Sequence, residues 1–599
     1  MKRVVTAATA TLLALTMCAP AQADPPSPVF TDGQAQPVFS PDDVVRESLW
    51  VTAPVDSDRD GKDDLVHVEV VRPRATEQGM RVPVVYQASP YYAGGNDVPN
   101  HDVDVELHVP GKPGRTTTNA RADERVAAAV GPNAAITWRY EKYFTARGFA
   151  VVYGESLGSG QSTGCPTSGG RNETIGAKSV IDWLNGRAAA RDASGSAVTA
   201  SWTTGKVGMM GVSYNGTLPN AVATTGVRGL ETIVPIAAIS SWYDYYRADG
   251  AVVAPGTFQG EDLDVLARYV YTRADREICK PVLDEIEREQ DRVTGDYSPF
   301  WAERDYLRDV GGVRASVLAV HGLNDWNVKT KHVSQWYEAL KRRGVEHKIW
   351  LHQSGHADPF TLRQAEWLTT LNRWMSHYLY GVDNNVQREP KATIQREDKS
   401  WVDEAEWPAP GTADVTLRPT AGGQGIGGLE VRRGNGKPVW ESLTDDVGVK
   451  AEDLATQATG EHRLSYATSA VAQPVRVSGT VRADLRLSFT RPAANVTVLL
   501  VDRAPDGTTS IVTRGWTDPQ NRLSPAFTQR LHPGIPYDLS VELQPDDYVL
   551  PAGHRFGVVV LSSDFDYTLR PKPGTGLSLD IAHSSVTLPV VGRSAFDVK

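Results

Sequence analysis

The chain has 599 residues, 40% hydrophobic and 22% charged, the make-up of a soluble globular protein long enough for several domains. Its formal net charge is −10, which argues against nucleic-acid binding, where Lys and Arg must meet phosphates. Beyond the N-terminus no stretch is apolar and long enough to span a bilayer.

Residues 1–23 read as a secretory signal peptide. Lys2 and Arg3 precede an uncharged run from Val4 to Met17, and Ala21-Gln22-Ala23 offers a small-x-small cleavage site before Asp24. A membrane anchor is the weaker alternative, because the run is too short to cross a bilayer. Leu15-Thr16-Met17-Cys18 is only faintly like a lipoprotein signal, since Met17 stands where a small residue belongs. Secretion is therefore expected. Cleavage leaves 60 basic against 72 acidic residues, a net −12, and two cysteines, Cys165 and Cys279. In an oxidising compartment they suggest one disulfide, the alternative being two separate buried thiols.

Pro25 to Asp43, rich in Pro, Asp and Ser, is expected as an extended arm. Asp56-Ser57-Asp58-Arg59-Asp60-Gly61 has the alternating carboxylates and turn glycine of a calcium loop, making Asp56, Asp58 and Asp60 candidate ligands. His67 stands where an EF-hand needs a bidentate glutamate, so the pattern favours a polar turn between strands. Val82 to Tyr86 reads as a buried strand ending in Ser89-Pro90-Tyr91-Tyr92. A loop from Gly111 to Asn133 and a helix from Trp138 to Ala146 follow. Phe149 to Tyr153 is a strand, and Gly154 to Gly164 a glycine-rich loop without the G-K-[ST] ending of a phosphate cradle. Ile175 to Asn185 is amphipathic and helical. Strands alternating with helices imply a mostly parallel sheet.

The next strand runs into Lys206-Val207-Gly208-Met209-Met210-Gly211-Val212-Ser213-Tyr214-Asn215-Gly216. A glycine-flanked serine between an apolar run and a small-residue stretch is what a nucleophile elbow requires, although the second glycine falls one position late. An ordinary strand-to-helix turn is the alternative unless an acid and a histidine follow in order. Leu230 to Ile239 is a further strand, followed by Ser241-Trp242-Tyr243-Asp244-Tyr245-Tyr246. Residues 248–312 break the alternation with charged helical stretches, Glu261 to Arg276 and Val282 to Arg292, and suit a cap over an active site. Alternation resumes with strand Val317 to His321, helix Lys331 to Arg342, strand Lys348 to Leu351 and helix Thr361 to Tyr380. Beyond residue 385 short alternating runs between Gly, Pro and Asp turns describe a β-sandwich over 386–599.

Asp325 follows the strand ending at His321, and His356 follows the next one. Ser, acid and His thus come in triad order, each after a strand's C-terminal end. Ser213 would attack, His356 would move the proton, and Asp325 would fix the imidazole tautomer. His352 is the competing histidine but lies within its strand. No HExxH or CxxC cluster suggests a metal enzyme, and no cofactor is expected.

At these residues the sequence resembles the Xaa-Pro dipeptidyl-peptidases, relatives of cocaine-esterase-like hydrolases, over nearly the whole mature chain. The resemblance is carried by Gly211 to Gly216, Ser241 to Tyr246, Gly260-Glu261-Asp262-Leu263-Asp264, Gly322 to Val328 and Asp547 to Arg555. It implies an α/β-hydrolase domain over residues 24–385 with a helical cap, then an all-β jelly-roll domain. It also implies a serine exopeptidase releasing Xaa-Pro dipeptides from peptides with a free N-terminus. Tyr91 and the backbone N–H of Tyr214 would stabilise the oxyanion. Trp242 and Tyr245 would wall the proline pocket, Glu261 would hold the free amine, and Trp326 and Asn327 would contact substrate. Pro219, in the second turn after the serine, departs from a regular helix and is expected to kink it. An esterase or α-amino-acid ester hydrolase on the same fold is the first rival, and a silent binding protein using the β-sandwich is the second.

Overall fold

The computed structural model describes Met1 and residues 26–112, 125–126, 138–256, 258–431, 436–457 and 459–592. The rest of the signal segment and most of the Gly111 to Asn133 loop lie outside these residues. The expected arm folds back as a small hairpin, Phe30–Thr31 with Gln34–Ala35, turned by Asp32 and Gly33 at positive φ. It docks on helix Gln364–Tyr380, where Ala35 exchanges hydrogen bonds with Asn372.

The catalytic domain is built on an eleven-stranded sheet. In chain order its strands are β1 Val44–Ala53, β2 Asp64–Pro73, β3 Val82–Ser89, β4 Ala150–Glu155, β5 Ala190–Arg191 and β6 Thr203–Val212. They continue as β7 Leu230–Ile236, β8 Ser316–Gly322, β9 His347–His352, β10 Ala392–Gln395 and β11 Trp401–Glu404. Across the sheet the order is β11-β10-β9-β8-β7-β6-β3-β4-β2-β1-β5. From β10 to β4 every pairing is parallel, and the strands outside that run pair antiparallel. β3, β4, β8 and β9 are buried along their whole length, as expected for parallel strands covered by helices on both faces. Helices Arg171–Leu184 and Tyr214–Thr224 cover one face with β1 and β2 at its edge. Helix Gln364–Tyr380 packs Leu371, Trp374 and Met375 onto the other.

β10 and β11 carry this sheet past residue 385, so it extends further than the sequence suggested. β10, Ala-Thr-Ile-Gln, alternates like a sandwich strand, and only the partner decides which sheet receives it. Between β7 and β8 lies the cap, with helices Leu263–Val270 and Lys280–Glu289, a short turn Pro299–Ala302 and a 3-10 segment Tyr306–Gly312. A disulfide from Cys165 to Cys279 ties the glycine-rich loop after β4 to this cap.

Among the described residues the C-terminal domain has thirteen strands in two faces that share Thr412–Ala421. Its own apolar core includes Leu417, Leu487, Val498, Phe556 and Leu588. The domain packs against the cap and the loop after β8, with Ala254 and Gln259 of the cap donating to the Tyr567 and Phe565 carbonyls and Trp326 of the loop beside Trp516. No helix among the described residues is long and apolar enough to cross a membrane.

Candidate active site

Ser213 stands between β6 and helix Tyr214–Thr224 at φ 63°, ψ −128°, a backbone conformation that L-residues avoid. The turn closes because its neighbours lack side chains. A Cβ on Gly211 would lie 2.5 Å from the Asn215 carbonyl oxygen, and one on Gly216 would lie 2.7 Å from that of Gly211. The late second glycine is therefore required by close approach of the first helical turn to the strand. The Ser213 N–H donates to the Ile236 carbonyl at 2.9 Å, and its own carbonyl accepts from the N–H groups of Gly216 and Thr217. Pro219 cannot donate to the turn before it, yet the helix continues through it to Thr224.

Asp325 lies in the loop after β8 and is buried. Its Oδ1 accepts from the N–H groups of Asn327 and Val328, both at 3.0 Å, which leaves Oδ2 to His356 Nδ1 at 2.7 Å. His321, at the end of β8, engages the Val328 carbonyl at 2.7 Å and so closes the same loop. Burial lowers the pKa of His321, keeping its ring neutral. His352 ends β9 with its Nδ1 accepting from the Ser354 N–H at 3.3 Å. Burial depresses its pKa to about 4, which suits a structural ring rather than a base.

Ser213 and His356 line one cavity of about 460 Å³, together with Tyr91, Tyr214, Trp242, Tyr245, Glu261 and Asn327. Two of the aromatic residues come from the one-turn helix Trp242–Tyr246, capped by the Ser241 hydroxyl. Trp242 Nε1 donates to the Tyr306 hydroxyl at 3.0 Å, which in turn donates to the Gly169 carbonyl at 2.9 Å. Its ring meets those of Tyr214 and Tyr245 edge-on at 4.9 and 5.9 Å, so three rings brace one another. Tyr245 donates to Asn327 Oδ1 at 3.0 Å, and Tyr214 to Glu173 Oε2 at 2.8 Å. Tyr91 follows β3. Burial pushes its phenol well above the ordinary tyrosine value, so it stays a proton donor.

Glu261 is the charged group of the cap that lines the cavity. Its Oε1 accepts from the Tyr246 hydroxyl at 2.9 Å, and burial raises its pKa to about 7. The neighbouring acids are otherwise engaged. Asp262 caps helix Leu263–Val270 and is held by Arg247 and Arg292 at 3.0 Å. Asp264 meets His101 at 2.8 Å and Gln290 at 2.7 Å.

The structure does not bring Trp326 into the cavity. Its ring packs on the C-terminal domain, 6.3 Å from the ring of Trp516 and 6.0 Å from that of Tyr567, so the expected substrate contact is replaced by a domain contact. Ile239, Phe258, Leu266 and Tyr269 also line the cavity and were not singled out in the sequence. Leu266 and Tyr269, three apart on an amphipathic helix, carry the one pattern that could have suggested an inward face.

The Asp56 to Asp64 segment is the turn between β1 and β2. Asp56 accepts from the N–H groups of Asp60 and Gly61, Asp58 pairs with Arg273 at 2.7 Å, and Asp60 pairs with Lys62 at 3.2 Å. Among the described residues, the acids whose ligand atoms approach within 4.8 Å are Asp56, Asp58 and Asp64, so Asp60 falls outside the group.

A parallel sheet with its serine on such a turn, and a carboxylate-held histidine beside it, places the protein among the α/β-hydrolases. Solved structures agree in fold. An aminopeptidase from a marine-sediment Thaumarchaeota archaeon superposes with TM-score 0.64 over 96% of this chain and 99% of its own, at 16% identity. An α-amino acid ester hydrolase does so with TM-score 0.63 over 96% and 100%, at 17% identity. In sequence, a Bacillus anthracis protein is 46% identical over 563 residues, 94% of this chain and 90% of its own. The Xaa-Pro dipeptidyl-peptidase of Ligilactobacillus salivarius is 32% identical over 641 residues, 94% and 79% of the two chains. The profile of the X-Pro dipeptidyl-peptidase (S15) family matches residues 60–358, and that of the X-Pro dipeptidyl-peptidase C-terminal non-catalytic domain matches 384–594. The chain belongs to the S15 family of X-Pro dipeptidyl-peptidases, serine peptidases that act on peptides.

Proposed function

We propose that this protein is a secreted exopeptidase that removes Xaa-Pro dipeptides from a free N-terminus through an acyl-enzyme on Ser213. The observation that carries the reading is a buried carboxylate, Glu261, in the same apolar cavity as Ser213, His356 and the ring wall of Trp242 and Tyr245. A proline ring has a fixed φ and a compact apolar surface, which suits a rigid aromatic slot. The ammonium of the residue before it needs a partner once out of water, and Glu261 supplies the opposing charge.

Ser213 Oγ attacks the proline carbonyl carbon while its proton passes to His356 Nε2, the nitrogen left after Nδ1 engages Asp325. The carbonyl oxygen takes the negative charge and accepts from the Tyr91 hydroxyl and the Tyr214 N–H. Collapse breaks the C–N bond, and His356 returns the proton to the departing amine. Water, deprotonated by the same imidazole, then releases the dipeptide and restores Ser213. Secretion is supported by the signal-like N-terminus and by the Cys165–Cys279 disulfide, which fits an oxidising compartment.

The test pairs H-Ala-Pro-anilide with its N-acetylated form and a small neutral ester, using wild type and Ser213→Ala. Cleavage of the free-amine substrate alone, lost in Ser213→Ala, is the expected result. Equal rates on free and acetylated substrates would overturn the exopeptidase reading, and hydrolysis of the ester alone would make the protein an esterase. N-terminal sequencing of culture supernatant should begin at Asp24; intact chain confined to the cells would remove the secretion.

A further inference from the structure

Asp325, Trp326 and Asn327 are consecutive, yet their side chains go to three places. Asp325 holds His356, and Asn327 holds the hydroxyl of Tyr245. Trp326 turns to the domain boundary, packing in one apolar cluster with Ala251 and Val253 of the cap. It enters a box on the C-terminal domain where the Arg514 guanidinium lies 5.1 Å from its ring centre, beside Trp516 and Tyr567.

The box is rigid. Arg514 and Trp516 Nε1 both donate to the fully buried Asp564 Oδ2, each at 3.0 Å, and Arg514 also reaches Glu452. The same stretch of chain grips the stem of the cap. The Tyr567 carbonyl accepts from the Ala254 N–H at 2.8 Å, and Val253 bridges Thr568. The Phe565 carbonyl accepts from the Gln259 side chain at 3.0 Å, two residues before Glu261.

We infer that Trp326 is a positioning residue for turnover, and that its receptor on the C-terminal domain, matched by the profile of a non-catalytic domain, sets the geometry of the catalytic acid. The physical reason is that a short loop drifts when one of its side-chain anchors is lost, even where Asp325, Asn327 and His321 keep their own partners. A misplacement of about 1 Å at a catalytic group can reduce the rate about 100-fold. Backbone N–H groups of Asn327 and Val328 orient Asp325, so Trp326 fixes the acid through the two peptide units that follow it. Because Asn327 is tethered by the same anchor, the aromatic slot is steadied by the same contact. The inference rests on Asp325 being the triad acid.

The test is a double-mutant cycle in the full-length protein, with Trp326→Leu on one domain and Tyr567→Leu on the other. Rates are expressed per Ser213 titrated with a fluorophosphonate, so loss of folded enzyme does not count. Trp326→Leu should lower kcat about 10- to 100-fold with a much smaller change in KM. Trp326→Phe, which keeps a ring in the box, should recover most of it. Tyr567→Leu alone should lower kcat in the same sense, which tests the inference from the other domain if Trp326→Leu does not fold. The double variant should fall within about twofold of the worse single, because both changes break one contact. A Trp326→Leu enzyme with wild-type kcat, or losses that multiply in the double variant, would overturn the inference. Wild-type protein that fails to label at Ser213, or an Asp325→Asn variant with full activity, would instead overturn the triad assignment.

Discussion

Replacing Glu261 by Gln should move activity and stability in opposite directions. The carboxyl is buried, and its pKa in the folded protein is raised from an ordinary glutamate value of 4.5 to about 7. A raised folded-state value means that burial disfavours the ionised form. Stability is therefore complete below the unfolded-state pKa and declines as pH rises through about 7. The interval corresponds to a cost on the order of 3 kcal/mol once the group is fully ionised. Gln keeps an oxygen for the Tyr246 hydroxyl and carries no charge to desolvate. Glu261→Gln should thus melt higher than wild type at pH 8.5, with the gap shrinking towards zero at pH 4.5. The same change leaves a substrate ammonium buried without its counter-charge, an error of about 3 kcal/mol or more, or 10²-fold and upwards in kcat/KM. That loss should fall on H-Xaa-Pro-anilide and spare a small neutral ester. For wild type, kcat/KM on the amine substrate should fall as pH drops below about 7, where Glu261 gains its proton. Thermal melts across this range and parallel assays on both substrates decide the matter. A melting gap that does not change with pH, or an equal loss on amine and ester, would refute the reasoning.

Tyr91→Phe removes the hydroxyl proposed to donate to the oxyanion, in the cavity that Ser213 also lines, and should lower kcat about 10²- to 10³-fold with little change in KM, read by steady-state kinetics on the anilide. Gly211→Ala should prevent formation of the elbow, because its Cβ would sit 2.5 Å from a backbone oxygen; fluorophosphonate labelling should be lost even where protein is recovered. Replacing both Cys165 and Cys279 by Ser opens a 114-residue loop. It should lower stability by up to about 4–5 kcal/mol in the chain-entropy description, measured as a lower melting temperature that reductant no longer changes.

The placement of Ser213, Asp325 and His356 could be read from the chain because each follows a strand, and strand order along the sequence fixes which end of a parallel sheet the loops occupy. The cysteine pair was legible by elimination, since one partner remained for each thiol in the mature chain. The extent of the catalytic sheet was not. Ala392–Gln395 pairs with β9 through backbone groups that every residue possesses, so nothing in its side chains announces the partner. The apolar lining from the cap was hidden for a related reason. Leu266 and Tyr269 face inward on a helix whose capping residue, Asp262, is held by Arg247 and Arg292, contacts distant in sequence.

Trp326 shows where inference from neighbours fails. Adjacency to the catalytic acid suggested a substrate contact, and an aromatic residue beside an active site fits that idea. In a tight loop, however, successive side chains diverge, and the two flanking polar groups already occupy the inward directions: Asp325 towards His356 and Asn327 towards Tyr245. The residue between them is left facing outward. A large apolar ring facing outward needs a cover, and here a second domain supplies it in Trp516, Tyr567 and Arg514. The same ring that misleads a reading of the local motif is thus a reason for the two domains to stay in contact at this point. Asp262 teaches the converse. It sits in an acidic motif next to the amine-binding candidate, but two arginines and a helix N-terminus use its charge, so Glu261 alone brings a carboxylate from that motif to the cavity.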